Sequence, residues 1–556
     1  MFGSRNRRCA AAITGVLTAL AMLAGTQQAS AHKGWEHGGR SGTVVQTGDG
    51  PLRGFSRTRY DAWVGIPYAA SPVGDLRFKA PQPVSGWSGV RDATHFGGRC
   101  TQNSGWDPGY EQPIANEDCL YLNVYVPHDS WSTWRGGKRP VLVWIHGGGF
   151  TGGAGQDTDP RKYIGETGAV FVTINYRLGA LGFLNLPQLR QEGDAAGAYG
   201  LLDQQAALRW IQKNIARFGG DPRNVTIAGQ SAGGSAVCDQ LSSPTAGGLF
   251  ARAIIVSGGC SMTSQADADK AGKAYLQTIG CPDDATAVAC LRAKTPAQLL
   301  DAQLKSPVGV RPSVGGSGFP EDPATAVQAG RFTRVPVISG QVHDERTLFA
   351  FQNNDYVGKP VTAAGYEATI RGTYGANADK VLAAYPVSAY PSPSAALAAV
   401  NTDSLAYGRL QYERALANYT PTYVYQFEDR QTPQFYSIYR LQWQGEPARS
   451  FPFGATHVDD LGYYFEYLGH TLPYSDDELE LSDQMIGFWS AFQNRNSPNG
   501  PYLPDWPRLN RDQYMALDAC DTPESSNQPP AACSEAKDIA SFVADHKLDL
   551  WQSILG

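Results

Sequence analysis

The run Gly229-Gln230-Ser231-Ala232-Gly233 leaves its stretch of chain few ways to fold. It follows Asn224-Val225-Thr226-Ile227-Ala228, which has the character of a short buried strand. It precedes Gly234-Ser235-Ala236-Val237-Cys238, which can open a helix. A G-x-S-x-G between a strand and a helix is the signature of a nucleophile elbow. The turn is tight enough to strain the serine backbone. Small residues two before and two after keep strand and helix from colliding, and the serine oxygen projects above the sheet. In a chain with 62 glycines a bare G-x-S-x-G is weak. The strand before it and a second motif upstream, His146-Gly147-Gly148-Gly149-Phe150, make it strong.

Short apolar runs recur at residues 120–126, 141–145, 170–176, 225–228, 253–257, 335–339 and 423–427. Helical patterns fall between several of them. The clearest is 201–218, with apolar residues at Leu201, Leu202, Ala206, Leu208, Trp210, Ile211 and Ile215, stopped by Gly219-Gly220. Strand and helix alternating over hundreds of residues predict a mostly parallel central sheet with helices on both faces. Nearly continuous apolar strands fit burial on both sides. Residues 43–55 read as a hairpin turning at Asp49-Gly50, and 62–68 as a further strand. The Ala-rich stretches 261–330 and 355–414 read as helical insertions on that sheet. No Pro/Ser/Gly linker divides residues 32–556, which are expected to form a single domain.

The first residues read as a secretory signal. Arg5, Arg7 and Arg8 are basic, 10–24 are apolar, and Ala29-Ser30-Ala31 is an A-x-A cleavage site. A mature chain is expected from His32, secreted and without a stable membrane anchor. Losing three arginines and no acid takes the formal charge from −6 to −9, which gives no electrostatic reason to bind nucleic acid. Of nine cysteines, Cys9 leaves with the signal. Export makes disulfides plausible, and spacing points to Cys100 with Cys119, Cys281 with Cys290, and Cys520 with Cys533. Cys238 and Cys260 remain as a fourth pair or as two buried thiols. With no C-x-x-C and no histidine near a cysteine pair, no metal site is expected.

A serine hydroxyl needs a base to take its proton, and the base needs an acid to orient it. In an α/β-hydrolase these follow in the order Ser, acid, His. Four histidines follow Ser231: His343, His457, His470 and His546. His546 has charged neighbours and is expected to be solvated; His470 reads as a structural histidine at a helix end. His457 lies in a small-residue loop after the 423–427 strand, where the base should be. The acid should follow the 335–339 strand, where Asp344 and Glu345 both qualify. Glycines in 146–150 let a substrate carbonyl approach the main chain, so Gly148, Gly149 and Ala232 are the expected oxyanion donors.

With these motifs the chain resembles the type B carboxylesterases, the α/β-hydrolase family that includes carboxylesterases, cholinesterases and the large fungal lipases. Glu117-Asp118-Cys119-Leu120-Tyr121-Leu122-Asn123-Val124 and the elbow match its two signatures. Gly65-Ile66-Pro67-Tyr68-Ala69, Leu76-Arg77-Phe78, Asn175-Tyr176-Arg177-Leu178-Gly179 and Gly200-Leu201-Leu202-Asp203-Gln204 match as well. The resemblance selects Glu345 as the acid and supports His457. It implies the ion pairs Arg77–Glu117 and Arg177–Asp203, and supports the disulfides Cys100–Cys119 and Cys281–Cys290. It implies an ester hydrolase acting on a small-molecule substrate with no cofactor. An interfacial triacylglycerol lipase and a non-catalytic cholinesterase-like binding protein are the rival readings. Two residues depart from the family pattern. Gln230 stands where Glu is usual, which removes a negative charge beside the site. Arg346 replaces the usual glycine after the acid, where it could pair with Asp344 or crowd the loop. Trp106 lies where cholinesterases carry a cation-binding tryptophan, but in a short loop it reads as a rim or packing aromatic.

Overall fold

The computed structural model describes residues 40–103, 113–129, 137–193, 195–435, 451–467, 471–520 and 532–556. The expected signal at 1–31, Trp106, His470 and most of the 522–532 loop lie outside them.

The strands run β1 Arg40–Gln46, β2 Pro51–Ser56, β3 Tyr60–Pro67, β4 Arg91–Asp92, β5 Tyr121–Pro127, β6 Arg139–Ile145, β7 Thr158–Asp159, β8 Val170–Ile174, β9 Gly220–Gln230, β10 Arg252–Val256, β11 Val337–Val342, β12 Thr422–Phe427, β13 Glu466–Tyr467, β14 Gln513–Leu517 and β15 Glu535–Asp538. All but β7 and β13 form one sheet, in the order β1-β2-β3-β5-β8-β6-β9-β10-β11-β12-β14-β15, with β4 against β2. From β8 to β14 every pairing is parallel, and the pairings outside that stretch, β4 against β2 excepted, are antiparallel. This is the α/β-hydrolase architecture, a largely parallel sheet flanked by helices and carrying helical insertions.

The pleat alternation of the central strands explains why both faces are covered. Val141, Val143 and Ile145 of β6 join Val225 and Ile227 of β9 in the large core, together with Leu201, Leu208 and Ile211 of the helix Tyr199–Asn214. On the opposite face Trp144 of β6 packs on Phe465, which in turn meets Trp489 of the helix Asp476–Arg495. Each such buried side chain contributes about 1.5–3 kcal/mol. A capping box between Ser475 and Glu478 starts the latter helix, and Asn496 in the left-handed region ends it.

Boundaries moved where tertiary pairing overrides local pattern. The strand expected at 335–339 is Val337–Val342, because β10 and β12 extend its ladder toward the site. The strand expected at 225–228 reaches from Gly220 to Gln230. The helix expected over 201–218 is Tyr199–Asn214, tightening into a 3₁₀ turn over Ile215–Phe218. The hairpin at 43–55 forms with Thr47 N donating to Gly50 O at its turn. The two insertions are helical, chiefly Gln265–Ile279 and Pro296–Lys305 in the first, and Ala363–Tyr374 and Pro393–Ala417 in the second. Among the described residues no helix is long and apolar enough to cross a membrane.

His546 corrects the sequence reading. It is buried, not solvated, with Nδ1 2.7 Å from Asp403 Oδ1 and Nε2 2.7 Å from Gln426 Oε1. Asp403 and Gln426 supply buried partners to both ring nitrogens, and the charged neighbours Asp545 and Lys547 themselves reach His343 and Asp403. Disulfides join Cys100–Cys119, Cys281–Cys290 and Cys520–Cys533, and Cys238–Cys260 form the fourth pair. Arg77 grips Glu117 with two nitrogens and donates to the carbonyls of Leu291, Arg292 and Lys294. Arg177 grips Asp203 in the same two-pronged way. Both pairs are buried, and these bonds compensate the desolvation that makes such pairs costly.

Candidate active site

β9 ends at Gln230, and the helix Ala232–Ser242 starts one residue after Ser231. Ser231 has φ 58° and ψ −122°, far from the regions a serine prefers. Main-chain bonds hold it there: its N–H donates to Val256 O, and its carbonyl accepts from Ser235 N–H. The glycines around it are required by contact. A Cβ on Gly229 would lie 2.5 Å from the Gly233 carbonyl, and one on Gly233 would lie 2.0 Å from Ile145 O.

The loop after β12 brings His457 to this serine. Its Nε2 lies 2.8 Å from Ser231 Oγ, and its Nδ1 lies 2.5 Å from Glu345 Oε2. A carboxylate only accepts, so Nδ1 carries the proton and Nε2 is free to accept one from the serine. Glu345 is 2% exposed. Burial pushes its carboxyl up. Arg409 first, and the His457 imidazole next, more than offset that and hold it at about 2. Arg409 reaches Glu345 Oε1 at 3.0 Å from the helix Pro393–Ala417 and also donates to Gln341 Oε1 and Gly258 O.

Asp344, the other acid that sequence order allowed, does different work. It accepts two bonds from Arg430 and one from Ala455 N–H, and its own N–H donates to Ala455 O. It therefore organises the segment leading to His457 rather than the imidazole. A Cβ on Gly454, at φ +62°, would fall 2.1 Å from Asp344 Oδ2. Thr456 Oγ1 accepts from Leu348 N–H, and Gln230 Nε2 donates to the His457 carbonyl at 2.6 Å. The ring of Phe349 packs 4.8 Å from the His457 ring.

The glycine loop after β6 runs against the serine. A Cβ on Gly147 would lie 3.2 Å from Ser231 Cβ, and Gly148 and Gly149 adopt φ +100° and +64°. Among the described residues the N–H groups of Gly148, Gly149 and Ala232 donate to no protein acceptor. His146 stacks on Tyr176 with ring centroids 4.4 Å apart, and the Tyr176 hydroxyl donates to its carbonyl. Burial lowers the His146 pKa to about 4, so it adds no charge to the loop at neutral pH. The arrangement can pass a proton from a serine to an imidazole and present free amides to a nascent oxyanion.

The carboxylesterase family model matches residues 41–534. The chain belongs to the carboxylesterase family. The para-nitrobenzyl esterase of Bacillus subtilis (strain 168) is 32% identical over 488 residues, which is 85% of this chain and 94% of that protein. The acetylcholinesterase of Bungarus fasciatus is 31% identical over 531 residues, covering 86% and 83%. Among solved structures, the carboxylesterase of Geobacillus stearothermophilus superposes with a TM-score of 0.75 at 31% identity, over 92% of this chain and 100% of that one. As a carboxylesterase the protein is a carboxylic ester hydrolase, and its substrates are small-molecule esters.

Three residues of the carboxylesterase site were not singled out from sequence, or only for another reason. Arg409 lies in an Ala-rich helix with no motif around it; its one signal is a charged pair with Glu413 four residues on, on a face of alanines and leucines. Phe349 had no signal beyond its closeness to Glu345. Gln230 was notable only as a missing charge, yet its amide ties the elbow to the His457 carbonyl. Arg346 forms no ion pair with Asp344, which Arg430 already occupies; its guanidinium stacks over the Phe349 ring at 4.4 Å.

Proposed function

We propose that this carboxylesterase works through an acyl-enzyme on Ser231. His457 takes the hydroxyl proton as Ser231 Oγ attacks the acyl carbon. Glu345 stabilises the imidazolium that forms, and the amides of Gly148, Gly149 and Ala232 hold the oxyanion. Each such donor is worth about 3 kcal/mol in the transition state. The imidazolium then protonates the departing alcohol. Water, activated by the neutral His457, frees the acid. The observation that carries this reading is the continuous chain from Ser231 Oγ through His457 to Glu345, closed at 2.8 and 2.5 Å. The same chain argues against a non-catalytic binding role, which has no use for a strained serine. Simple 4-nitrobenzyl and 4-nitrophenyl esters are suitable probes, given the para-nitrobenzyl esterase among the relatives.

Ser231→Ala is expected to lower 4-nitrophenyl butyrate turnover by at least about 10⁴-fold while thermal unfolding changes little, and a fluorophosphonate should label Ser231 in the parent protein. Turnover surviving in that variant would overturn the proposal.

We further infer that residues 1–31 direct export and that the mature protein, 32–556, is secreted as one α/β-hydrolase domain. Four disulfides support an oxidising destination. Sequencing the secreted protein from its amino end should begin at His32; recovery of residues 1–31 on the secreted chain would refute cleavage there.

A further inference from the structure

The two carboxylates that follow β11 are already committed. Glu345 gives one oxygen to Arg409 and the other to His457. Asp344 is taken by Arg430 and by the Ala455 amide, with His343 3.2 Å away. Arg346 follows these two acids directly and is left without one. Its main-chain N–H is bonded to Thr402 Oγ1, but among the described residues its guanidinium has no carboxylate partner. It stacks over the Phe349 ring, 4.4 Å away, and that ring lies against His457. The cation is therefore one aromatic ring from the imidazole.

A second arginine approaches from a different segment. Arg311 lies between the helices Pro296–Lys305 and Pro323–Gln328, is exposed, and has no acidic partner among the described residues. Its charge opposes that of Arg346. Burial disfavours the Arg346 cation most; Glu345 favours it, while Arg409 and Arg311 oppose it. A half-buried guanidinium with no carboxylate partner raises the energy of the empty protein. A bound anion removes that cost. Stacking on an aromatic face leaves the N–H edge of a guanidinium available, and that edge fits a carboxylate in two-pronged fashion. The pair also stands out from its background, since the whole chain carries a formal charge of −6.

We propose that Arg346, aided by the charge of Arg311, forms a carboxylate-binding subsite beside His457, so that esters bearing a second, ionised carboxyl group, such as half-esters of dicarboxylic acids, are preferred substrates. The proposal rests on the Ser231 reading above. Arg346 touches the substrate's distant carboxylate, not the reacting atoms, and so sets specificity.

The test compares monomethyl glutarate with the matched amide, methyl 5-amino-5-oxopentanoate, which differ in charge and hardly in shape. The parent protein should favour the carboxylate by about tenfold in kcat/KM, with the advantage shrinking as salt is raised from 20 mM to about 500 mM. Arg346→Met should bring the ratio close to one, Arg346→Lys should keep part of it, and Arg311→Gln, at an exposed position, should reduce it. A ratio near one in the parent protein, or one unmoved by both Arg346→Met and Arg311→Gln, overturns the subsite. Ser231→Ala run on both esters separates the two failures. Loss of both activities in that variant together with a flat ratio in the parent removes only the subsite, whereas activity surviving in it removes the acyl-enzyme reading beneath.

Discussion

At the scale of single residues, Ser231 and Glu345 show two ways in which a fold spends stability on a site. The serine sits at φ 58°, a conformation costing roughly 1–3 kcal/mol that persists because strand, helix and neighbouring glycines over-determine it. Glu345 is a buried charge, tolerable because each oxygen has a cationic or hydrogen-bonding partner. An amide at this position offers an N–H to a ring nitrogen that must itself donate, which favours the wrong tautomer. Glu345→Gln is expected to lower kcat about 10³–10⁴-fold with KM changing little, read by steady-state kinetics on 4-nitrophenyl butyrate. Ser231 and the glycine loop could be read from the sequence because local sterics demand those residue types in that order. The choice between Asp344 and Glu345 could not, since both are acids at the end of one strand. The resemblance selected Glu345, and the structure shows the physical difference: Asp344 faces Arg430 and the Ala455 amide.

At the scale of elements, the helix Pro393–Ala417 does more than cover the sheet. It carries Arg409, whose charge keeps Glu345 ionised, and Glu413, buried against Ser339 with its carboxyl pushed up to about 7 by desolvation. Arg409→Met removes the largest influence that lowers the Glu345 carboxyl and leaves burial, which raises it. Glu345 would then titrate well above its present value of about 2. The acid limb of kcat/KM should move to higher pH. The loss of stability at pH 7, about 3–5 kcal/mol for a buried charge left without its partner, should shrink as pH falls and the carboxyl protonates. Urea titrations at pH 5 and 7 alongside pH–rate profiles test both; an unchanged acid limb would deny Arg409 this role. The helix could be anticipated from its alanines. Its arginine could not be tied to a glutamate 64 positions earlier, because nothing local records which helix face will meet which strand end.

At the scale of the whole molecule, the chain's last helices are tied electrostatically to the segment that leads to His457. His343 lies 2.9 Å from Asp545 Oδ2 and 3.2 Å from Asp344 Oδ1, with the His546 ring 5.4 Å away and Arg430 across Asp344. Burial lowers the His343 pKa, but the two aspartates outweigh it and raise it from 6.5 to about 10. The Asp545 carboxyl, led by its bond to His343, is lowered to about 2. A raised histidine contributes stability that is complete below pH 6.5 and lost as pH climbs through about 10. A lowered aspartate contributes stability that is complete above pH 3.8 and lost as pH falls through about 2. Asp545→Asn is therefore expected to lower Tm between pH 4 and 8, with the gap to the parent closing above pH 10, as followed by calorimetry. A gap independent of pH would assign the loss to packing instead.

The amino-acid order already contained the alternation of strands and helices, the elbow, the glycine loop and the small-residue loop that holds His457, because each follows from short-range sterics or hydrophobic periodicity. It also contained the pairing of cysteines close in the chain. Folding in three dimensions settled what depends on distant partners: the burial of His546 against Asp403 and Gln426, the fourth disulfide between Cys238 and Cys260, the separate duties of Asp344 and Glu345, and the arginine from a remote helix that holds Glu345 charged. Those outcomes turn on the removal of water from particular groups. Whether a charge is stranded or paired is known only once the surfaces that enclose it have met.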